Sequence, residues 1–145
     1  MKLNKLMNQK GIPIVKTLIV EDELTSRILL ESVLSRYGEC HVAVTGEEAV
    51  EAFRMARADA APYDLICMDI RMPGMDGVEA VRKIRAMETK DGVLSTHGTK
   101  IVMQTAVDDV KDVVQSFYEL CNAYLVKPVS AASLIGELRK MALIA

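Results

Sequence analysis

No apolar run in the 145-residue chain approaches the roughly 18 residues that a membrane-spanning helix needs. The opening MKLNKLMNQKGIPIVK carries lysines but no hydrophobic segment of the signal-peptide kind. A protein that stays in the cytoplasm, off the membrane, is expected. Positive charge is not in excess either: 18 Lys and Arg stand against 20 Asp and Glu, a net charge of −2. Direct nucleic-acid binding therefore lacks its usual electrostatic footprint. Cysteine is scarce. Cys40, Cys67 and Cys121 are odd in number, lack metal-type spacing and lie in or beside apolar stretches, so reduced, mostly buried thiols are expected. There are no internal repeats and no low-complexity segments. What remains is 50% hydrophobic and 26% charged, the composition of a folded domain rather than a disordered chain. Its length suits one domain with a real core.

The most informative stretch is Tyr63 to Gly77, YDLICMDIRMPGMDG. The unbroken apolar run Leu65-Ile66-Cys67-Met68 suits a strand covered on both faces, as in a parallel sheet. It ends at one carboxylate, Asp69, and Pro73-Gly74 then forces a turn. Asp69 is thus placed at the carboxyl end of a central strand, the edge where open α/β sheets bind ligands.

Around it the chain alternates strand and helix. Residues 1–15 lack clear periodicity and read as a tail; 16–145 read as a single domain. Thr17–Val20 is a strand ending at Glu21-Asp22. Ile28, Leu30, Val33, Leu34 and Tyr37 then recur at helical spacing up to Gly38. His41–Val44 is a second strand, and Thr45 with Glu48 forms a capping-box pattern for a helix to about Ala58. After the third strand Asp76 can cap a helix with Val78, Val81 and Ile84 inward. Residues 88–100 form a polar connection at the amino edge of the sheet. Ile101–Ala106 is a fourth strand, and Val107, Val110, Val113, Val114, Phe117 and Leu120 form a stripe expected to pack in the core. Ala123–Val126 is the fifth strand, and Ser130 can cap a last helix with Leu134, Ile135, Leu138 and Met141. Five strands alternating with five helices imply right-handed crossovers and a parallel sheet covered on both faces.

Parallel strands would bring Glu21 and Asp22, Asp69, Thr105 and Lys127 to one edge. Three close carboxylates repel and raise one another's pKa unless a cation neutralises them. Oxygen donors without nearby His or Cys favour Mg²⁺, which is commonly shared with a phosphate. Each residue alone has a duller explanation, such as a helix dipole for the acids or a solvated strand end for the lysine. Their joint placement is what suggests a phosphoryl site.

With these parts in order, residues 15 to 143 resemble the response-regulator receiver domains of the CheY type. LIVED matches the acidic pair of the first strand, MDIRMPGMDG the phosphoacceptor loop, QTA the hydroxyl step and AYLVKP the aromatic and lysine segment. The resemblance implies a flavodoxin-like doubly wound sheet of order 2-1-3-4-5 and a cis Lys127-Pro128 bond. It implies Asp69 as the nucleophile that takes a phosphoryl group from a histidine kinase or a histidine phosphotransfer protein. Mg²⁺ would be held by Glu21, Asp22, Asp69 and the Arg71 backbone carbonyl, with Lys127 and the Thr105 hydroxyl on phosphoryl oxygens. Thr105 and Tyr124 would form the switch that reshapes the fourth helix, fifth strand and fifth helix for a downstream protein target. The expectation is a stand-alone switch, monomeric or dimerising on phosphorylation.

Two positions depart from the commonest pattern. Glu21 replaces Asp, and Leu120 stands where many members have Gly, so that the preceding helix is expected to end at Asn122, which tolerates left-handed geometry. Two other functions fit less well. A phosphohydrolase acting through an aspartyl-phosphate wants a second acid two residues on, where Arg71 stands. A flavodoxin-like cofactor binder wants a Ser/Thr/Gly-rich phosphate loop where the chain reads EDELTS.

Overall fold

In the computed structural model, which describes residues 7–11, 14–94, 97–111 and 120–145, five strands form one sheet. They are β1 (Thr17–Val20), β2 (Cys40–Ala43), β3 (Leu65–Asp69), β4 (Lys100–Thr105) and β5 (Ala123–Val126). Their order is β2-β1-β3-β4-β5 and every pairing is parallel, the doubly wound order that the resemblance implied. The helices are α1 (Leu24–Leu34), α2 (Gly46–Ala58), α3 (Gly77–Lys90) and a C-terminal helix (Ala131–Lys140). A 3₁₀ turn, Val107–Asp109, follows β4. The interior of the expected fourth helix, residues 112–119, lies outside the described residues, as do Val113, Val114 and Phe117 of its stripe.

Strand alternation sorts the core into two layers. One layer joins Leu18, Val20, Ile66, Met68, Ile101 and Met103 to Phe53 of α2 and Val81 and Ile84 of α3. The other joins Ile19, Leu65, Cys67, Val102 and Leu125 to Leu30 and Val33 of α1 and Leu134 and Leu138 of the C-terminal helix. Most of these side chains are fully buried, each worth about 1.5–3 kcal/mol of transfer free energy. Cys67 is buried and free, Cys40 and Cys121 half-buried and free. Burial pushes the Cys67 thiol up to about 12.

The helix starts follow their caps. Asp76 accepts from the Glu79 N–H at 2.9 Å and Thr45 from the Glu48 N–H at 3.1 Å. Ser130 and Ser133 form a reciprocal box. The Thr45–Glu48 pair is not the full box expected, because Glu48 reaches past Thr45 to the Val44 N–H at 3.0 Å.

Other expectations need correction. Strand β2 runs one residue earlier than expected, and Val44 lies outside it, 37% exposed. Helix α1 ends at Leu34, and Ile28 faces outward at 55% exposure. Val107 is 70% exposed rather than in the core, because the 3₁₀ turn aims the buried Asp109 inward in its place. The third helix continues to Lys90 because Glu88, expected in the polar connection, is buried. Its carboxylate accepts from Arg85 and from the Thr99 N–H at 2.8 Å. Asn122 does not have the left-handed backbone expected of a helix end. Instead its side-chain oxygen accepts from the Ile101 N–H at 2.8 Å and from Arg85 at 3.0 Å. The Lys127–Pro128 bond is cis.

Candidate functional site

The alternation that builds the second core layer also builds the site. Counting two residues on from Ile19, Cys67 and Leu125 gives Glu21, Asp69 and Lys127. All three therefore leave the carboxyl edge on the face shared with α1 and the C-terminal helix. Lys127 Nζ lies 3.0 Å from Asp69 Oδ2 and 3.4 Å from Glu21 Oε2. Both acids are buried, Glu21 completely. The second Asp69 oxygen accepts from the Arg71 N–H at 3.2 Å, and Glu21 Oε1 accepts from the Glu23 N–H at 3.1 Å. Glu23 itself caps α1 through the Thr25 and Ser26 N–H groups, so the third acid of EDE is committed to the helix. Asp22 is exposed and turned to the same cleft.

Three acids therefore face one ammonium, and the protonation equilibria respond. Burial, aided by the Asp69 charge, pushes the Glu21 carboxyl up to about 7, against the opposing pull of the Glu23 N–H and Lys127. Burial pulls the Lys127 ammonium down, but Asp69 and Glu21 together outweigh it and raise its pKa. The site is short of positive charge.

A hard divalent cation fits that shortage. One carboxylate oxygen from each of Glu21, Asp22 and Asp69 can be chosen so that all lie within 4.8 Å of one another. Glu21 Oε2 is buried without a hydrogen bond, although it lies at ion-pair distance from Lys127. An orphaned buried carboxylate oxygen costs about 1–3 kcal/mol or more, and an all-oxygen donor set suits Mg²⁺.

The remaining expected residues stand apart from this centre. Thr105 is buried, but its hydroxyl donates to the Ala106 carbonyl at 3.1 Å rather than to a site carboxylate. Alternation puts it with Ile101 and Met103 on the opposite face of β4. Tyr124, in register with Met103, is 41% exposed. The Arg71 guanidinium leaves the cleft to pair with Asp109, Nε to Oδ2 at 2.6 Å. Two residues were missed from sequence. Asp109 carried no signal beyond being one of two adjacent acids. Gln104 did carry one: it is the polar residue that interrupts the apolar run Ile101-Val102-Met103. It is buried, with its Nε2 unpartnered.

Fold and site together define a doubly wound α/β protein with a lysine-clasped acidic cleft at its carboxyl edge. The family model for the response regulator receiver domain matches residues 17–139, and the chain belongs to that family. It is similar to the transcriptional regulatory protein ResD of Bacillus subtilis (strain 168), 36% identical over 127 residues, 87% of this chain and 47% of that protein. The chain thus spans about half the length of that relative. Among solved structures it resembles a chain of the co-crystal structure of the Saccharomyces cerevisiae histidine phosphotransfer signalling protein Ypd1 and the receiver domain of its downstream response regulator Ssk1. That match has TM-score 0.76 and 29% identity, covering 91% of each chain. It also resembles the receiver domain of the sensor histidine kinase PA1611 from Pseudomonas aeruginosa, solved with magnesium coordinated in the active site cleft. Here the TM-score is 0.70 and the identity 28%, covering 89% of this chain and 98% of that one. No helix among the described residues is long and apolar enough to cross a membrane.

Proposed function

We propose that residues 16–145 form one receiver unit that accepts a phosphoryl group on Asp69 and relays its presence to another protein. The observation that carries this reading is the Lys127 ammonium held 3.0 Å from Asp69 and 3.4 Å from the buried Glu21. That is an electrophile-binding cation beside a nearly buried carboxylate nucleophile at the carboxyl edge of the sheet. The donor would be a phosphohistidine on a histidine kinase or phosphotransfer protein, as the likeness to the Ypd1 and Ssk1 structure suggests.

One Asp69 oxygen attacks phosphorus, a P–O bond forms and the donor's P–N bond breaks, leaving an acyl phosphate. Lys127 follows the negative charge from the carboxylate onto a phosphoryl oxygen, as a compact ammonium can. Mg²⁺, held by Glu21, Asp22, Asp69 and the Arg71 carbonyl, would supply charge neutralisation at the transferring oxygens. The Thr105 hydroxyl must leave the Ala106 carbonyl to bond the phosphoryl group. Lys127 N–H donates to the Thr105 carbonyl at 2.8 Å, so the lysine and the hydroxyl step are already joined through the backbone. Movement of Thr105 would open space for the exposed Tyr124 to turn inward, altering the face around β5 that a partner reads.

The protein is read as a signalling switch whose only chemistry is gain and slow loss of its own phosphoryl group. The absence of a second acid two residues beyond Asp69 weighs against a phosphohydrolase. Incubation with Mg²⁺ and acetyl phosphate, followed by intact-mass measurement, should show one added phosphoryl group, lost in Asp69→Asn. Equal uptake by the variant, or none by the wild type, rejects the reading.

A further inference from the structure

Among the described residues three buried side-chain atoms lack a hydrogen-bond partner: Thr17 Oγ1, Glu21 Oε2 and Gln104 Nε2. Thr17 begins β1, at the far end of the sheet, and Glu21 belongs to the cation site. Gln104 remains. It is 1% exposed, and it sits in register with Asp69 on one side and Leu125 on the other. Neighbours in register on parallel strands point to the same face and stand about 4.8 Å apart. Alternation from Val102 puts the Gln104 side chain on the face that carries Glu21, Asp69 and Lys127. A glutamine reaching from the adjacent strand is long enough to bring its amide to the Asp69 carboxylate. In the resting site its amide nitrogen makes no hydrogen bond, while Lys127 lies on Asp69 Oδ2 and the Arg71 N–H on Oδ1.

We propose that Gln104 is a positioning residue for phosphoryl transfer, its amide N–H donating to the Asp69 oxygen that Lys127 releases when the ammonium follows charge onto the phosphoryl group. The inference rests on Asp69 being the phosphoacceptor. In the transition state the bond between Asp69 oxygen and phosphorus is partial, so that oxygen still carries much of its carboxylate charge while its lysine partner has left. A donor that bonds there and not in the resting state stabilises the transition state selectively, which is the condition for acceleration. The same partial bond occurs twice. With acetyl phosphate as donor, Asp69 oxygen bonds phosphorus as acetate leaves with its electron pair. In hydrolysis water bonds phosphorus and passes a proton to a phosphoryl oxygen, and Asp69 leaves as carboxylate with the electron pair of the broken P–O bond. One hydrogen bond therefore serves both directions of traffic through Asp69.

The test is Gln104→Met, which keeps an unbranched side chain of similar length and removes the amide. Rates of phosphoryl uptake from acetyl phosphate and of autodephosphorylation are measured by intact mass with Mg²⁺ present, and thermal melting is followed alongside. Both rates should fall by a similar factor, about tenfold, the order of one hydrogen bond. The melting temperature should hold or rise, because a buried donor without a partner has been removed. Gln104→Glu, which sets a carboxylate beside Asp69, should depress uptake further. Unchanged rates in the methionine variant overturn the proposal. So does a fall in one rate alone, or a slowing matched by loss of folded protein. If the wild type itself takes up no phosphoryl group, the reading of Asp69 has failed rather than this inference.

Discussion

Arg71 reaches from the loop after β3 to Asp109 in the turn after β4, Nε to Oδ2 at 2.6 Å and Nη2 to Oδ1 at 2.5 Å. The two partners differ in environment: the Arg71 side chain is 77% exposed, that of Asp109 only 12%. The pair ties the loop after Asp69 to the segment that begins two residues beyond Thr105. Burial sets what each partner loses, since the exposed guanidinium loses little by being left in water.

An asymmetry follows. Asp109→Asn leaves Arg71 solvated and should lower stability by less than about 1 kcal/mol. Arg71→Met strands a nearly buried carboxylate and should cost about 1–3 kcal/mol. Urea unfolding of both variants measures this, and equal losses would show that the burial difference is irrelevant.

Removing the metal gives a second expectation. Asp22 is exposed, makes no cap and lies beside Glu21 and Asp69. Asp22→Asn should melt like the wild type in EDTA. Adding Mg²⁺ at about a hundredfold its dissociation constant should stabilise the wild type by about 2.7 kcal/mol through mass action, and the variant by much less. A variant that gains as much as the wild type would exclude Asp22 from the cation site.

Much of this was legible in the chain because the relevant signals are local. Apolar runs, caps at Thr45, Asp76 and Ser130, and the acid that ends Leu65–Met68 each depend on a few adjacent residues. Strand order is not local and came only through the resemblance. The errors also have physical causes. Ile28 fits a helical stripe yet faces solvent, because α1 stops at Leu34 and buries Leu30, Val33 and Leu34 instead. Val107 looked like the first residue of a buried stripe, but the chain enters through a 3₁₀ turn whose different pitch rotates it outward. Glu88 looked like a loop residue and proves to be a buried anchor, since its partners Arg85 and Thr99 come together only in the fold. Within the site, Glu21, Asp69 and Lys127 were legible as residues at the carboxyl ends of parallel strands, whereas the alternation that sets Thr105 on the opposite face needs the strand bounds that only the fold supplies. The Asp109 contact requires two loops whose approach no spacing rule encodes.

The raised pKa of Glu21 sets the sign of a pH effect. Burial and the neighbouring Asp69 charge push its carboxyl up to about 7 in the fold, from an ordinary 4.5. Between those values the folded state holds a proton that the unfolded state releases, so stability from this group is greatest below about pH 4.5 and falls as pH rises through 7. The full loss is on the order of 3 kcal/mol. In EDTA, Glu21→Gln should flatten the difference in urea midpoint between about pH 5 and about pH 7.5. Mg²⁺ should flatten it in the wild type by favouring the ionised form. A wild-type midpoint that rises across this window relative to the variant contradicts the assignment.

Gly77 and Gly136 make the last prediction, because the same substitution should have opposite signs at the two sites. A Cβ on Gly77 would lie 2.1 Å from the Asp69 carbonyl oxygen and 2.9 Å from both the Asp69 carbonyl carbon and Ile70 Cα. All three are backbone atoms, and the Gly77 N–H is bonded to the Ile70 carbonyl at 2.8 Å, so neither side can yield cheaply. A Cβ on Gly136, in the C-terminal helix, meets nothing within 4 Å. Helix propensity favours alanine by about 1 kcal/mol at Gly136, inside its helix, and by less at Gly77, the first residue of α3. At Gly136 nothing opposes it, and Gly136→Ala should stabilise by about 0.5–1 kcal/mol. At Gly77 overpacking should win, with a net loss of about 1–3 kcal/mol. The displaced peptide is that of Asp69 itself, so Gly77→Ala should also slow phosphoryl uptake at temperatures where the variant remains folded. If Gly77→Ala matched Gly136→Ala in both melting and uptake, the close packing of α3 against the end of β3 would not be what fixes Asp69.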